Sequence, residues 1–220
     1  MKKSFFSKGD GQMSESGRLA VLLAVSGGLM DAYTYLYRGH VFANAQTGNI
    51  LLFGVNLSEG NIQNALHYFF PVLAFALGIV LSECVRHCCA EGARIHWRQY
   101  MILLECLILC SVGFVPVTYN MAANALVSFA CGIQVESFRK VRGNALSTTM
   151  CIGNLRSGTQ ALCDFMFTKK KDCLNRVMLY YGIILAFAAG AVLGNIMISC
   201  WGQGAVWCSC FLLLTGFFLM

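Results

Sequence analysis

The stretch 27–54, GGLMDAYTYLYRGHVFANAQTGNILLFG, places an acidic residue inside an apolar run and follows it with a polar turn and a second, shorter apolar run. Asp31 lies well inside the first hydrophobic segment, 19–37. The apolar part near 50–57 is too short to cross a bilayer, because a membrane-spanning helix needs about 20 residues. The segment 40–60 is therefore predicted to be a re-entrant or interfacial half-helix.

The whole chain has the composition of an integral membrane protein. Of its 220 residues, 57% are hydrophobic and 12% are charged, whereas soluble domains are about one quarter charged. This composition excludes an ordinary cytosolic enzyme and leaves no room for a separate soluble domain. Apolar runs that predict membrane spans are found at 19–37, 65–85, 101–118, 121–138, 177–199 and 205–220.

The basic residues predict the orientation of these spans. Of the 16 Lys and Arg residues, all except Arg38 fall on one side of a six-span arrangement, and loops rich in Lys and Arg stay in the cytoplasm. Both termini are therefore predicted to be cytoplasmic. The net charge of +6 does not indicate nucleic-acid binding, because the basic residues are grouped at the ends of hydrophobic segments.

The second half of the chain repeats features of the first. GGLMDAY (27–33) matches GIQVESF (132–138), and TGN (47–49) matches IGN (152–154), at one constant offset. FALGIVL (75–81) matches FAAGAVL (187–193) at an offset seven residues larger, which the insertion KKKDCLNR (169–176) explains. The matched pairs are Gly27 with Gly132, Asp31 with Glu136, Gly48 with Gly153, and Asn49 with Asn154.

Three spans in each half is an odd number, so the second half must enter the membrane from the opposite face. This predicts an all-α membrane protein of six transmembrane helices, arranged as two inverted three-helix repeats, an architecture that many transporters use. Each repeat has a broken or re-entrant segment after its first helix. The predicted divisions are a cytoplasmic N-terminal tail, 1–17, a first repeat, 18–118, and a second repeat, 119–220.

The polar residues inside these spans form the candidate site. An ionised carboxylate in the membrane is costly and usually marks a functional position, and a Thr-Gly-Asn turn can cap a half-helix whose N-terminus suits an anion. The alternative for Asp31 is structural: its carboxylate caps the backbone amides of the broken segment. The candidate substrate-binding residues are Asp31, Thr47, Gly48, Asn49, Glu136, Gly153 and Asn154.

Other acidic residues and the 12 cysteines are given structural roles. Glu136 lies near Arg139 and Lys140, so an ion pair at the inner interface is its alternative. Glu83 and Glu105 are assigned to the interfacial ends of their spans. The cysteines and histidines between 84 and 96 do not have the spacing of a closed zinc site. No metal ion, cofactor or catalytic residue is predicted.

The chain resembles the YoaK family of bacterial membrane proteins, a domain family without an assigned function. The resemblance is carried by the Gly-x-x-Asp-Ala start at Gly28, by Val41-Phe42-Ala43 and by the turn Gln46-Thr47-Gly48-Asn49. It implies a multi-pass protein of the bacterial inner (plasma) membrane. Family members tend to carry a second Thr-Gly-Asn turn in the second half of the chain. This chain has Ile152 in place of that threonine.

These features lead to two hypotheses of function. The first is a small-solute or ion transporter or channel, with a polar site near the membrane midplane between the inverted repeats. The alternative is a non-transporting membrane scaffold or sensor subunit that docks a partner through its basic cytoplasmic loop, 139–176. A membrane enzyme is not expected. The sequence leaves open whether the chain forms a homo-oligomer.

Overall fold

The computed structural model describes residues 16–88, 96–141 and 143–220, and within these ranges the chain is mostly helical. The predicted tail, 1–17, lies outside the described residues except for its last two. The helices are α1 (Gly17–Tyr37), α2 (Gln46–Ser58), α3 (Ile62–Cys88), α4 (Trp97–Val112), α5 (Asn120–Ser137), α6 (Cys151–Thr168), α7 (Lys171–Trp201) and α8 (Trp207–Phe218). Two short strands, β1 (Lys140–Val141) and β2 (Asn144–Ala145), pair antiparallel, and 3-10 helices cover Val117–Tyr119 and Gly202–Val206.

Local sequence signals explain several helix ends. The Ser16 hydroxyl accepts a hydrogen bond from the Leu19 amide and starts α1. His96 starts α4 in a reciprocal cap, in which its ring accepts from the Arg98 amide and the Gln99 side chain accepts from the His96 amide. Gly60 has a φ of +74° between α2 and α3, a conformation that glycine adopts without strain.

Three helical stretches of the described chain are long and apolar enough to cross a membrane: Gly17–Tyr37, Ile62–Cys88 and Lys171–Phe218. The third stretch contains both α7 and α8. The predicted runs 101–118 and 121–138 correspond to α4 and α5, of which α4 has only 16 residues. The prediction of a helical membrane protein therefore agrees with the structure at this coarse level.

Two pairs of long helices are in close parallel contact. A Cβ atom on Gly28 of α1 would overlap the Phe187 carbonyl of α7, and one on Gly190 of α7 would overlap the Val25 carbonyl. The backbones can approach this closely only because both positions are glycine. One turn further along both helices, a Cβ atom on Gly194 would contact Leu29, so α1 and α7 run in the same direction. Helix α1 thus packs against α7, which the sequence matching had placed in the other half.

Helices α3 and α5 make the same kind of contact. A Cβ atom on Gly78 would overlap the Phe129 carbonyl, and one on Gly132 would overlap the Phe75 carbonyl. Further along, the hydroxyls of Ser82 and Ser137 lie 2.9 Å apart. Residue numbers rise together along both helices, so this pair is also parallel.

The shorter helices complete a bundle around α1. Helix α8 runs antiparallel to α1, since Leu19 contacts Gly216 at one end and Tyr33 donates a hydrogen bond to the Gln203 carbonyl at the other. Helix α5 is also antiparallel to α1: Gln134 donates to the Leu23 carbonyl, and the earlier residue Asn124 donates to the carbonyl of Arg38 beyond the end of α1.

Helix α4 is antiparallel to α8. Cys210 bonds to the Cys106 carbonyl, and the earlier residue Trp207 bonds to the carbonyl of the later residue Cys110. Helices α1, α4 and α7 therefore run in one direction, and α3, α5 and α8 run in the opposite direction.

Two helical hairpins lie beside the bundle. Helix α2 packs antiparallel to α3, with the rings of Phe53 and Phe69 5.5 Å apart, and α6 packs antiparallel to α7, with Thr159 and Tyr181 in hydrogen-bond contact at 2.9 Å. The basic segment 139–176, which was predicted to be a loop, instead contains the two short strands, α6 and the start of α7. Its insertion, 169–176, lengthens the α6–α7 hairpin.

The buried Arg38 joins the end of α1 to the end of α4. Its side chain is fully buried, and its guanidinium donates to the carbonyls of Val112 at 3.0 Å and Val115 at 2.8 Å. It also donates to the Tyr33 hydroxyl at 2.9 Å and to the Asn120 side chain at 3.3 Å. The last carbonyls of a helix lack partners within it, and Arg38 supplies donors to this helix end and the loop that follows.

Replacing Gly28 with alanine should destabilise the protein by about 1–3 kcal/mol, because the added methyl group overlaps the backbone of α7. Gly54→Ala is the matched control, since a Cβ atom there has no neighbour within 4 Å among the described residues. Thermal unfolding in detergent measures both variants. Equal melting temperatures would contradict the close contact of α1 with α7.

Replacing Arg38 with methionine should lower stability by about 1–3 kcal/mol for each buried carbonyl left without a donor. Arg156→Met, at an exposed position on α6, should have little effect. The melting temperatures of the two purified variants test this expectation. A stable Arg38→Met variant would show that other groups satisfy the end of α4.

Candidate functional site

The chain between α1 and α2 forms a tight segment that one asparagine holds. Asn49, in the first turn of α2, is fully buried. Its Oδ1 accepts a hydrogen bond from the Phe42 amide at 3.0 Å, and its Nδ2 donates to the Phe42 carbonyl at 2.7 Å. The same Nδ2 donates to the Gln46 side chain at 2.8 Å. We call residues 42–49 the first turn segment.

The chain before α6 is held in the same way. Asn154, also at the fourth position of its helix and 2% exposed, accepts from the Ser147 amide at 3.2 Å and donates to the Ser147 carbonyl at 2.6 Å. In both segments the asparagine holds the backbone of the residue seven positions earlier. We call residues 147–154 the second turn segment. The sequence match of Asn49 with Asn154 thus has a common structural basis.

Both turn segments reach the middle of α1. Asn44 of the first segment donates its side-chain amide to the Gly27 carbonyl at 3.1 Å. On the second segment, the carbonyl of Thr148 and the methyl group of Thr149 would lie 3.4 Å and 3.2 Å from a Cβ atom built on Gly27. Gly27 is the central residue of α1, so the two segments approach each other at half the length of this helix.

Asp31 lies where these segments approach each other. Its Oδ1 accepts a hydrogen bond from the Asn44 amide at 2.7 Å, and the backbone amides of Ala43 and Ala45 also interact with the carboxyl group. Cys151, the first residue of α6, is within electrostatic range of Asp31. The carboxyl group therefore holds the backbone before α2, as in the structural alternative, and the residue as a whole is half-buried.

The remaining turn residues differ in their surroundings. Thr47 is exposed, and a Cβ atom on Gly48 would lie 2.8 Å from the Phe42 ring. Gly153 is exposed, and a Cβ atom there would have open space around it. Gly48 thus has a packing requirement that its sequence partner Gly153 lacks.

Glu136 lies apart from the two turn segments. It is near the C-terminal end of α5, where its carboxylate pairs with Arg139 at 2.8 Å. It also contacts Glu83 of α3, which pairs with Arg86 in the same helix. The carboxyl groups of α3 and α5 therefore form an ion-pair cluster at the helix ends.

The packing register explains this difference. Gly28 of α1 contacts Phe187 as Gly132 of α5 contacts Phe75. Helices α1 and α5 therefore align at a sequence offset one residue smaller than the offset between Asn49 and Asn154. The position that corresponds to Asp31 is then Val135, which is buried. Glu136 lies about 100° further around the helix, toward α3.

Three polar residues of the site were not selected from the sequence. They are Asn44, Gln134 and Thr148, and all three are buried. Gln134 donates to the Thr148 hydroxyl at 3.2 Å and to the Leu23 carbonyl at 3.1 Å, and so ties the second turn segment to α1. The sequence could have indicated Gln134, because it places an amide side chain in the middle of a predicted span, and such groups need hydrogen-bond partners in lipid.

Comparisons with known proteins agree with the membrane assignment. A family model described as protein of unknown function (DUF1275) matches residues 19–219. The UPF0700 transmembrane protein YoaK of Bacillus subtilis (strain 168) is 26% identical over 187 residues, which covers 80% of each chain. The resemblance stated from the sequence is therefore confirmed. No solved structure matches the chain.

Replacing Asn49 or Asn154 with leucine should destabilise the protein by about 1–3 kcal/mol for each backbone group left unpaired. The exposed Asn64→Leu is the control. Melting temperatures in detergent, with limited proteolysis of the segments 42–49 and 147–154, provide the measurement. Variants as stable and as protease-resistant as the control would show that the asparagines do not hold the turns.

Proposed function

The chain belongs to the DUF1275 family of transmembrane proteins, and we propose that it moves a small solute or an ion across the membrane between its two turn segments. The observation that carries this proposal is the approach of both segments to Gly27 of α1, beside the carboxyl group of Asp31. Irregular backbone at membrane depth is tolerated only where protein buries it or where it lines a cavity. A transport site between two such segments fits this rule.

The packing supports two inverted repeats of three spans. Helix α1 packs on α7 as α5 packs on α3, and corresponding helices of the two halves run in opposite directions. The hairpins α2–α3 and α6–α7 then correspond to each other, as do α4 and α8. Transporters with inverted repeats place their sites near the midplane at the interface between the repeats.

The charge distribution supports an orientation with both termini in the cytoplasm. Among the basic residues that the structure describes, Arg38 is the one at the opposite ends of the helices, and it is fully buried among carbonyl groups. It is therefore a structural residue and does not weaken the positive-inside pattern. The exposed Lys169, Lys170 and Lys171 at the α6–α7 turn would then face the cytoplasm.

Asp31 is proposed to serve both as an anchor and as a polar group of the path. It holds the backbone before α2, and it lies where the two turn segments approach each other. The N-terminal turns of α2 and α6 begin beside it, and helix N-termini carry partial positive charge. A solute passing here would meet a carboxylate, backbone amides and asparagine side chains.

Asp31→Asn should reduce transport toward the level of empty liposomes, because it removes the charge but keeps an oxygen that can accept from Asn44. Purified protein in liposomes is tested with gradients of H⁺, Na⁺, K⁺ and Cl⁻, and then with amino acids, organic acids and sugars. Asp172→Asn, at the exposed start of α7, is the control and should transport like the wild type.

Two outcomes would contradict the proposal. One is a wild-type protein that moves none of these solutes, and the other is an Asp31→Asn variant with full transport. If transport is absent and a cytoplasmic protein binds the wild type but not a variant with Lys169, Lys170 and Lys171 replaced by serine, the scaffold hypothesis is favoured instead.

A further inference from the structure

A second acidic residue is buried in the bundle away from the turn segments. Glu105, in α4, is 0% exposed, so its assignment to the membrane interface from the sequence was wrong. Neither of its carboxyl oxygens has a hydrogen-bond partner in the part of the chain that the structure describes. Isolated carboxylates are strongly disfavoured in such surroundings unless they are neutralised.

Helix contacts place two serine side chains at the depth of Glu105. Along α1 and α8, Leu19 contacts Gly216 and Tyr33 bonds to Gln203. Ser26 is midway between Leu19 and Tyr33 on α1, and Ser209 is near the midpoint between Gln203, in the 3-10 helix before α8, and Gly216. Both serines are 0% exposed, and their hydroxyl oxygens have no partner within the described ranges.

The contact between α4 and α8 brings Glu105 to the same depth. The Cys106 thiol lies 3.8 Å from the Cys210 carbonyl, and the Cys210 thiol lies 3.5 Å from the Cys106 carbonyl. Glu105 and Ser209 each directly precede one of these cysteines. Ser128 of α5 is a third fully buried serine whose hydroxyl oxygen has no partner among residues 16–88, 96–141 and 143–220.

The groups within electrostatic range of Glu105 on α5 and α8 are thiols, whereas the cations Arg98 and Arg38 lie toward the two ends of α4. Helix α5 presents the Cys131 thiol and α8 presents the Cys210 thiol, both within electrostatic range of Glu105. Neither α8 nor the 3-10 helix before it contains a charged residue. The acidic and basic residues of α3 and α5 are in the cluster at the helix ends, so no cation of these elements balances a charge on Glu105.

Asp31 is the acidic group that α1 contributes. Cys131 is within electrostatic range of both Asp31 and Glu105, and its thiol lies 3.7 Å from the Met30 sulfur. The Cys131 thiol of α5 therefore lies in the region between α1 and α4 that both acids influence.

We propose that Glu105 is an exchangeable proton-binding site, which, if the chain is a transporter as proposed above, couples solute movement to a proton gradient. In the state described, the carboxyl group carries its proton. When water enters between the helices, the O–H bond breaks, the proton passes to water and the carboxylate remains. The entering water solvates this carboxylate, and a buried hydroxyl at the same depth, such as that of Ser209 on α8, can rotate toward it.

Infrared difference spectroscopy of the purified protein in lipid tests the site directly. The wild type should show the C=O stretch of a protonated carboxyl group near neutral pH, and this band should disappear as the pH is raised. Glu105→Gln should lose the band, whereas Glu83→Gln, in the cluster at the helix ends, should keep it. A band that is absent from the wild type, that does not titrate, or that persists in Glu105→Gln would overturn the proposal.

Transport assays separate this proposal from the proposed function. A wild-type protein that moves a solute should do so faster under a proton gradient, and Glu105→Gln should lose this response but keep gradient-independent movement. A titrating Glu105 band in a protein that moves nothing supports the proton site and contradicts the transport function. Transport without the band contradicts the proton site alone.

A folding control completes the test. Glu105→Leu should remain folded and should melt at a temperature equal to or above that of the wild type, because it removes a buried polar group that lacks a partner. It should also lack the carboxyl band. A large decrease in the melting temperature would overturn the proposal, since it would show that Glu105 has a structural partner.

Discussion

The requirement that backbone polar groups be satisfied within lipid governs this structure. Long helices meet it internally, but the segments before α2 and α6 cannot. In each segment one buried asparagine bonds to both the amide and the carbonyl of a residue seven positions earlier. Asp31 and the side chains of Asn44 and Gln134 then attach these segments to neighbouring helices. Asp31, Asn49 and Asn154 of the candidate site are thus also residues that satisfy the non-helical backbone.

Close helix packing supplies the frame for these segments. Glycines on α1, α3, α5 and α7 allow backbone contacts that a methyl group would prevent, and such small residues are typical of membrane helix interfaces. Each close contact joins a helix of one half to a helix of the other. The two turn segments are therefore held together by the packing of the long helices.

The interior of the bundle contains more polar groups than its packing requires. Glu105 of α4 and one serine on each of α1, α5 and α8 are buried, and their side-chain oxygens have no hydrogen-bond partner among the described residues. Leucine and alanine would fill these positions without leaving polar atoms unsatisfied. This excess sets Glu105 apart from Glu83 and Glu136, whose charges are paired at the helix ends.

The sequence alone determined the membrane class, the family, the short half-helix after α1 and the equivalence of Asn49 with Asn154, because these depend on hydrophobic length and local motifs. Tertiary structure decided the roles of Glu136, Gln134 and Glu105. A one-residue difference between helix and turn registers rotates Glu136 toward α3, and no pattern along the chain shows such a rotation. The α4–α8 contact joins residues about a hundred positions apart in sequence, so only the packed bundle shows that Glu105 is fully buried in the state described.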